Sequence, residues 1–140
     1  MSRPRVLIDT GAIYAFVTRT DSHHQQAKRF VREWLDGQGA FVLSNVVFAE
    51  TMTLLKARLG PEIAIRVGRE LRQNPAYVWL WLGEDSERET WAAFQRYSDK
   101  DWSYTDCATL ALARREGIPL IFGFDHHFTQ MPGIERVPRS

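Results

Sequence analysis

Cysteine is almost missing from this chain of 140 residues: Cys107 stands alone, which excludes a disulfide-stapled scaffold. Long hydrophobic runs are missing as well, and no apolar stretch approaches the ~18 residues of a membrane span. The opening Met1-Ser2-Arg3-Pro4-Arg5 leads into only a few apolar positions, too few for a secretory signal, so a cytoplasmic protein with no membrane partner is expected. Neither sign of charge dominates. Eighteen basic residues against 17 acidic leave a net charge of +1, without the strongly basic balance that marks nucleic-acid binding from bulk charge. There is no internal repeat, low-complexity tract or Gly/Ser linker, and the length suits one core, so a single domain over 1–140 is expected.

The proportions that remain are globular, with 44% hydrophobic residues, enough to exclude disorder. Lysine is scarce: only Lys28, Lys56 and Lys100 accompany the arginines, whose forked side chains suit phosphate or carboxylate and whose excess also follows from a GC-rich genome. Charge is unevenly spread. Residues 1–83 carry 11 basic and 7 acidic groups, whereas residues 84–106 carry 3 and 7.

Short apolar runs alternate with amphipathic ones. Arg5 to Asp9, Phe41 to Leu43, Tyr77 to Leu82 and Leu120 to Phe124 have strand length and composition, with a weaker last strand at Ile134 to Val137. Between them the spacing predicts helices. One runs over Ala12 to Val17, and another opens at Asp21 or Ser22 with Ala27, Phe30, Val31, Trp34 and Leu35 on one face. A third is capped by Ser44 or Asn45 and runs to Leu59, and a fourth starts at Pro61. A fifth spans Asp85 to Ser98, buried through Trp91, Phe94 and Tyr97, and a sixth runs from Ser103 to Gly117. Strands alternating with helices predict an α/β fold: a three-layer α/β/α sandwich around a central parallel sheet. In such sheets the ligand site lies beyond the carboxyl ends of the strands.

Two acids fall at those ends, Asp9 after the first strand and Asp125 after the Leu120–Phe124 strand. Asp106 occupies the first turn of the sixth helix. Each has a structural alternative: Asp9 and Asp125 suit helix caps, and Asp106 suits a capping box with Ser103. Glu50 has Val46, Val47, Thr53 and Leu54 as helical neighbours, which places it on an apolar face and calls for either a cationic partner or a role at the site. Carboxylates crowded on one rim repel unless protons are taken up or a hard cation sits among them. Oxygen ligands without a Cys/His set favour Mg²⁺ or Mn²⁺ over zinc, and such ions activate water against a phosphodiester. The residues by themselves point to metal-dependent phosphoryl chemistry.

The ordered set Val6-Leu7-Ile8-Asp9-Thr10, Asp21-Ser22-His23-His24, Glu50, Ser103-Tyr104-Thr105-Asp106 and Phe124-Asp125-His126-His127-Phe128 resembles the PIN domain of VapC-type ribonuclease toxins over nearly the whole chain. The resemblance implies a PIN-like fold and an endoribonuclease dependent on Mg²⁺ or Mn²⁺. Its catalytic acids would be Asp9, Glu50, Asp106 and Asp125, with Asp9 and Asp106 as principal metal ligands and Thr10 and Asn45 in support. It further implies an RNA substrate, a cognate antitoxin as partner and a homodimer. Departures are Trp102, where an aliphatic residue is common, and the pair His126-His127 after Asp125.

The alternative function is a non-catalytic PIN-like module that binds RNA or a partner. A phosphatase with Asp9 as nucleophile would need a second Asp two residues on, where Gly11 stands. His23-His24 and His126-His127 read as solvated helix starts, since adjacent histidines point apart, with a phosphate contact from His126 as the other option. Trp79 and Trp81 share one strand face and are expected to pack under a helix. Asp101 reads as loop solvation or as a neighbour of the acidic rim.

Overall fold

The computed structural model describes residues 2–139, so Met1 and Ser140 lie outside the described residues. Five strands form one sheet in the order β3-β2-β1-β4-β5: β1 (Arg5–Ile8), β2 (Ala40–Ser44), β3 (Tyr77–Leu80), β4 (Leu120–Phe122) and β5 (Glu135–Val137). Every pairing is parallel, with Val6 beside Phe41, Leu7 beside Ile121 and Val42 beside Val78. A parallel sheet must be covered on both faces, and these strands are apolar on both. Val6, Ile8, Phe41, Leu43 and Phe122 point to one side, while Leu7, Val42 and Ile121 point to the other.

The first side is covered by α1 (Thr10–Val17), α2 (His24–Asp36) and the inner residues of α3 (Asn45–Leu59) and α4 (Pro61–Gln73), through Ala12, Ile13, Val31, Val47 and Leu71. The second is covered by α6 (Tyr104–Glu116), through Cys107, Leu110 and Ala113, with Trp102, Phe128 and Met131 completing the layer. The expected three-layer α/β/α sandwich is therefore present. Side chains such as Phe41, Phe122 and Leu110 are fully buried, and each contributes about 1.5–3 kcal/mol relative to exposure.

Local chemistry sets the boundaries. Ser44 caps α3 by accepting from the Val47 N–H at 3.0 Å. Gly60 separates α3 from α4 at φ 93°, which an L side chain adopts only under strain, and Pro61 opens α4 where a missing N–H costs nothing.

Several expectations change. The strand at β4 ends at Phe122 rather than Phe124, and β3 ends at Leu80 rather than Leu82. The second helix starts at His24 without a side-chain cap, and Asp21 instead accepts from the His23 N–H in the turn before it. The fifth helix, α5 (Glu84–Arg96), is not buried through Trp91 and Phe94, which are 53% and 40% exposed. It lies on α6 through Ser86, Thr90, Ala93 and Tyr97, so its small residues face inward and its aromatic stripe faces out. Trp79 does pack beneath α4 and donates its indole N–H to the Leu71 carbonyl, but Trp81 lies past the strand and is 65% exposed. Among the described residues, no helix is long and apolar enough to cross a membrane.

Candidate active site

The parallel sheet brings the carboxyl ends of β1 and β4 side by side, with the Asp9 N–H donating to the Phe122 carbonyl at 2.9 Å. Asp9 follows β1 directly, and Asp125 opens the 3₁₀ turn His126–Gln130 beyond β4. The start of α6 reaches the same edge with Asp106, and α3 runs past it with Glu50. A cleft of roughly 360 Å³ results, lined by five carboxylates: Asp9, Glu50, Asp101, Asp106 and Asp125, with His127 among them. All four acids singled out in the sequence thus meet in one place. Asp101, offered above as loop or rim, is at the rim.

The cap and the site prove to be compatible roles for the same side chain. Asp9 accepts the Gly11 N–H on Oδ2 at 3.1 Å, and Asp125 accepts the His127 N–H on Oδ1 at 2.9 Å. Asp106 and Ser103 form a reciprocal capping box: the Ser103 N–H donates to Asp106 Oδ2 at 2.9 Å, and the Asp106 N–H donates to Ser103 Oγ at 3.0 Å. Each aspartate commits one oxygen to its own backbone, which fixes the carboxyl plane.

Burial separates the acids. Asp9 and Asp106 are 7% and 8% exposed, whereas Glu50 and Asp125 are exposed. Glu50 is therefore not the buried acid expected from its apolar neighbours. The inward stripe of α3 is Val47, Thr51 and Leu55, one position along the helix from Val46, Glu50 and Leu54. That second stripe borders the cleft and an adjoining open groove. No lysine or arginine lines the cleft among the described residues, so the alternative of a cationic partner for Glu50 is not met there.

Crowding without compensation shifts the buried acids. Burial pushes the Asp9 carboxyl up to about 7; the Gly11 N–H opposes this, and the nearby Asp106 and Glu50 carboxylates add to it. Burial likewise raises Asp106, against the pull of the Ser103 N–H and His127, with Asp125 raising it further. A hard divalent cation fits this donor set: the ligands are carboxylate oxygens, and positive charge is what the cleft lacks.

Thr10 is buried behind Asp9, where its hydroxyl accepts from Thr51 Oγ1 at 3.4 Å and ties α1 to α3. Asn45 uses Oδ1 to accept the Leu82 N–H at 2.7 Å, which pins the start of α3 to the chain leaving β3. Both hold elements that carry acids.

Two residues at the site were not singled out in the sequence. His127, read as a solvated helix start, is only 16% exposed at its side chain, and its Nδ1 lies 3.0 Å from Asp106 Oδ2 and 3.2 Å from Asp125 Oδ1. His126 does fit the solvated reading, at 72%. Gly123 sits where β1 and β4 end together, and a Cβ there would lie 3.1 Å from the Phe128 ring and 3.3 Å from Asp9 Cβ. The spacing Asp125-x-His127 gives a clue only to the backbone contact, because an aspartate in a turn accepts from the N–H two residues on; it does not fix where the imidazole turns.

Known proteins resemble this chain over nearly its whole length. The chain is 27% identical over 133 residues to the 23S rRNA-specific endonuclease VapC20 of Mycobacterium tuberculosis, covering 95% of this chain and 98% of the relative. It is 29% identical over 132 residues to a VapC ribonuclease of Archaeoglobus fulgidus, covering 93% of this chain and 82% of that one. The crystal structure of VapC20 superposes with a TM-score of 0.82 at 26% identity, over 91% of this chain and 95% of the other. A chain of a toxin–antitoxin complex from Klebsiella pneumoniae shares the fold at a TM-score of 0.65 and 18% identity, over 93% and 95%. The model of the PIN domain matches residues 6–134, and the chain belongs to the PIN-domain family.

Proposed function

We propose that this protein is a metal-dependent endoribonuclease, the toxin of a toxin–antitoxin pair, with one PIN domain over 1–140. The observation that carries the reading is the convergence of Asp9, Glu50, Asp106 and Asp125, from four separate elements, on a cleft lined by no lysine or arginine among the described residues. Kinship with VapC20 and the Archaeoglobus VapC ribonuclease supports RNA as the substrate. The fold shared with a chain of a toxin–antitoxin complex supports a cognate antitoxin as partner. Assembly as a homodimer is part of the proposal, as is action in the cytoplasm.

Asp9 and Asp106 would hold Mg²⁺ or Mn²⁺, with Glu50 and Asp125 completing the site directly or through water. The bound cation supplies an activated water and neutralises charge on the phosphodiester. The chain's own part is orientation. The Gly11, Ser103 and His127 N–H groups each fix one oxygen of an aspartate, leaving the other for the reaction side. Glu50, exposed at the cleft edge, is placed to accept a hydrogen bond from water entering the site. In the absence of cation the Asp9 carboxyl retains a proton near neutral pH, so occupancy requires that proton to leave.

The test is cleavage of total RNA by purified protein in Mg²⁺ or Mn²⁺, in EDTA, and by the Asp9→Asn variant. Discrete fragments that need both the metal and Asp9 are expected. Folded, partner-free protein that cuts nothing would return the chain to the non-catalytic binding module.

A further inference from the structure

We infer that His127 is a positioning residue that clamps Asp106 to Asp125 and sets their remaining oxygens toward the cleft. The inference rests on the nuclease reading above and adds to it a residue outside the four acids.

Three observations carry it. His127 Nδ1 stands between the two carboxylates, at 3.0 Å from Asp106 Oδ2 and 3.2 Å from Asp125 Oδ1. The backbone N–H of the same residue holds Asp125 Oδ1 at 2.9 Å while its ring hydrogen-bonds Asp106 Oδ2, so His127 reaches both acids. Asp106 Oδ2 receives two donors, the Ser103 N–H and the imidazole, and no other hydrogen bond reaches the Asp106 carboxyl among the described residues. That leaves Oδ1 uncommitted. With both carboxylates ionised, only the tautomer carrying hydrogen on Nδ1 satisfies the geometry.

Asp106 and Asp125 come from different elements, and like charges so close push apart. Two N–H groups of one residue, the ring Nδ1–H on Asp106 and the backbone N–H on Asp125, tie the two carboxylates to a common anchor and fix their spacing. The ring is held in turn: it is nearly buried and anchored by the turn that buries Phe128. Groups that orient metal-binding side chains in this way typically cost 10–100-fold in affinity or activity when removed.

The experiment compares the native protein with His127→Asn, His127→Gln and His127→Ala. Three readouts are taken: Mn²⁺ affinity by titration followed by electron paramagnetic resonance, kcat and KM for RNA cleavage, and thermal midpoint. The Asn amide nitrogen sits where Nδ1 sits, whereas the Gln amide reaches the position of Nε2. His127→Asn should therefore stay within about threefold of native in Mn²⁺ affinity and kcat. His127→Ala and His127→Gln should lose about 10–100-fold in both, with KM for RNA little changed. An alanine variant with native Mn²⁺ affinity overturns the inference. So does an asparagine variant as weak as alanine, which would make Nδ1 a metal ligand, and so does rescue by glutamine alone. If alanine does not fold, the contrast between Asn and Gln decides. Native protein that binds Mn²⁺ but cuts no RNA removes the nuclease reading and leaves the clamp to be judged on affinity; native protein that binds no Mn²⁺ removes both.

Discussion

Buried between Asp106 and Glu50, the Asp9 carboxyl is held at about 7 against 3.8 in its ordinary setting, mainly by loss of water. Folding therefore takes up a proton at Asp9 between those two values, and the linkage has a definite sign. The stability this group contributes is complete below pH ~3.8 and is lost as pH rises towards about 7, so at pH 8 the metal-free protein carries a buried, repelled charge. Asp9→Asn should stabilise the metal-free protein at pH 8 by on the order of 1–3 kcal/mol, seen as a higher thermal midpoint, and have little effect near pH 4. The same variant should cut no RNA. Melting curves of both proteins at the two pH values check this, and equal midpoints at pH 8 would show that Asp9 is not strained. Gly123 offers a second case at this scale. A methyl group there must push Asp9 or Phe128 by a few tenths of an ångström. Gly123→Ala should lower kcat about tenfold while the protein remains folded, as judged by initial rates beside circular dichroism.

Among the elements, α5 is where pattern and packing part company. Its aromatic residues sit outside and its small ones inside, so the two stripes should respond oppositely to substitution. Trp91→Ser and Phe94→Ser should each shift stability by less than about 1 kcal/mol, because both side chains are already substantially exposed. Thr90→Leu should cost about 1–3 kcal/mol, because Thr90 is fully buried against α6 with its hydroxyl on the Ser86 carbonyl. Urea midpoints for the three variants decide the matter. This inversion also explains what was readable in advance. Strands and helices were legible because the chain marks them with Gly60-Pro61, Asn74-Pro75, the Ser44 and Ser103 caps and doubly apolar strands. The meeting of the four acids followed from parallel strands having a common carboxyl end. A helix that packs through Ser86, Thr90 and Ala93 leaves no apolar trace, whereas Trp91 and Phe94 at helical spacing mimic a buried face. Glu50 is hard to place for a related reason: α3 touches α1, α4 and α6 and carries apolar residues around much of its circumference, so no single face declares itself. His127 was hidden because which of two adjacent histidines turns back on Asp125 depends on the 3₁₀ turn, not on either residue.

For the molecule as a whole, the acidic cleft links stability to its proposed cation. Anything bound only by the folded state stabilises it, by ~2.7 kcal/mol at a concentration one hundred times its dissociation constant. Mn²⁺ should therefore raise the thermal midpoint, more at pH 8 than at pH 5, where the Asp9 proton competes, and EDTA should reverse the gain. A midpoint indifferent to Mn²⁺ at both pH values would separate the acids from metal binding. The sheet order has a further consequence. The middle strand β1 is flanked by β2 on one side and by β4 on the other, with Leu7 paired to Ile121. Half of the cleft is thus encoded near one end of the message and half near the other. A ribosome making this chain displays Asp9 and Glu50 long before Asp106, Asp125 and His127 exist. The nascent polypeptide has no complete cutting surface while any of those later residues is still untranslated.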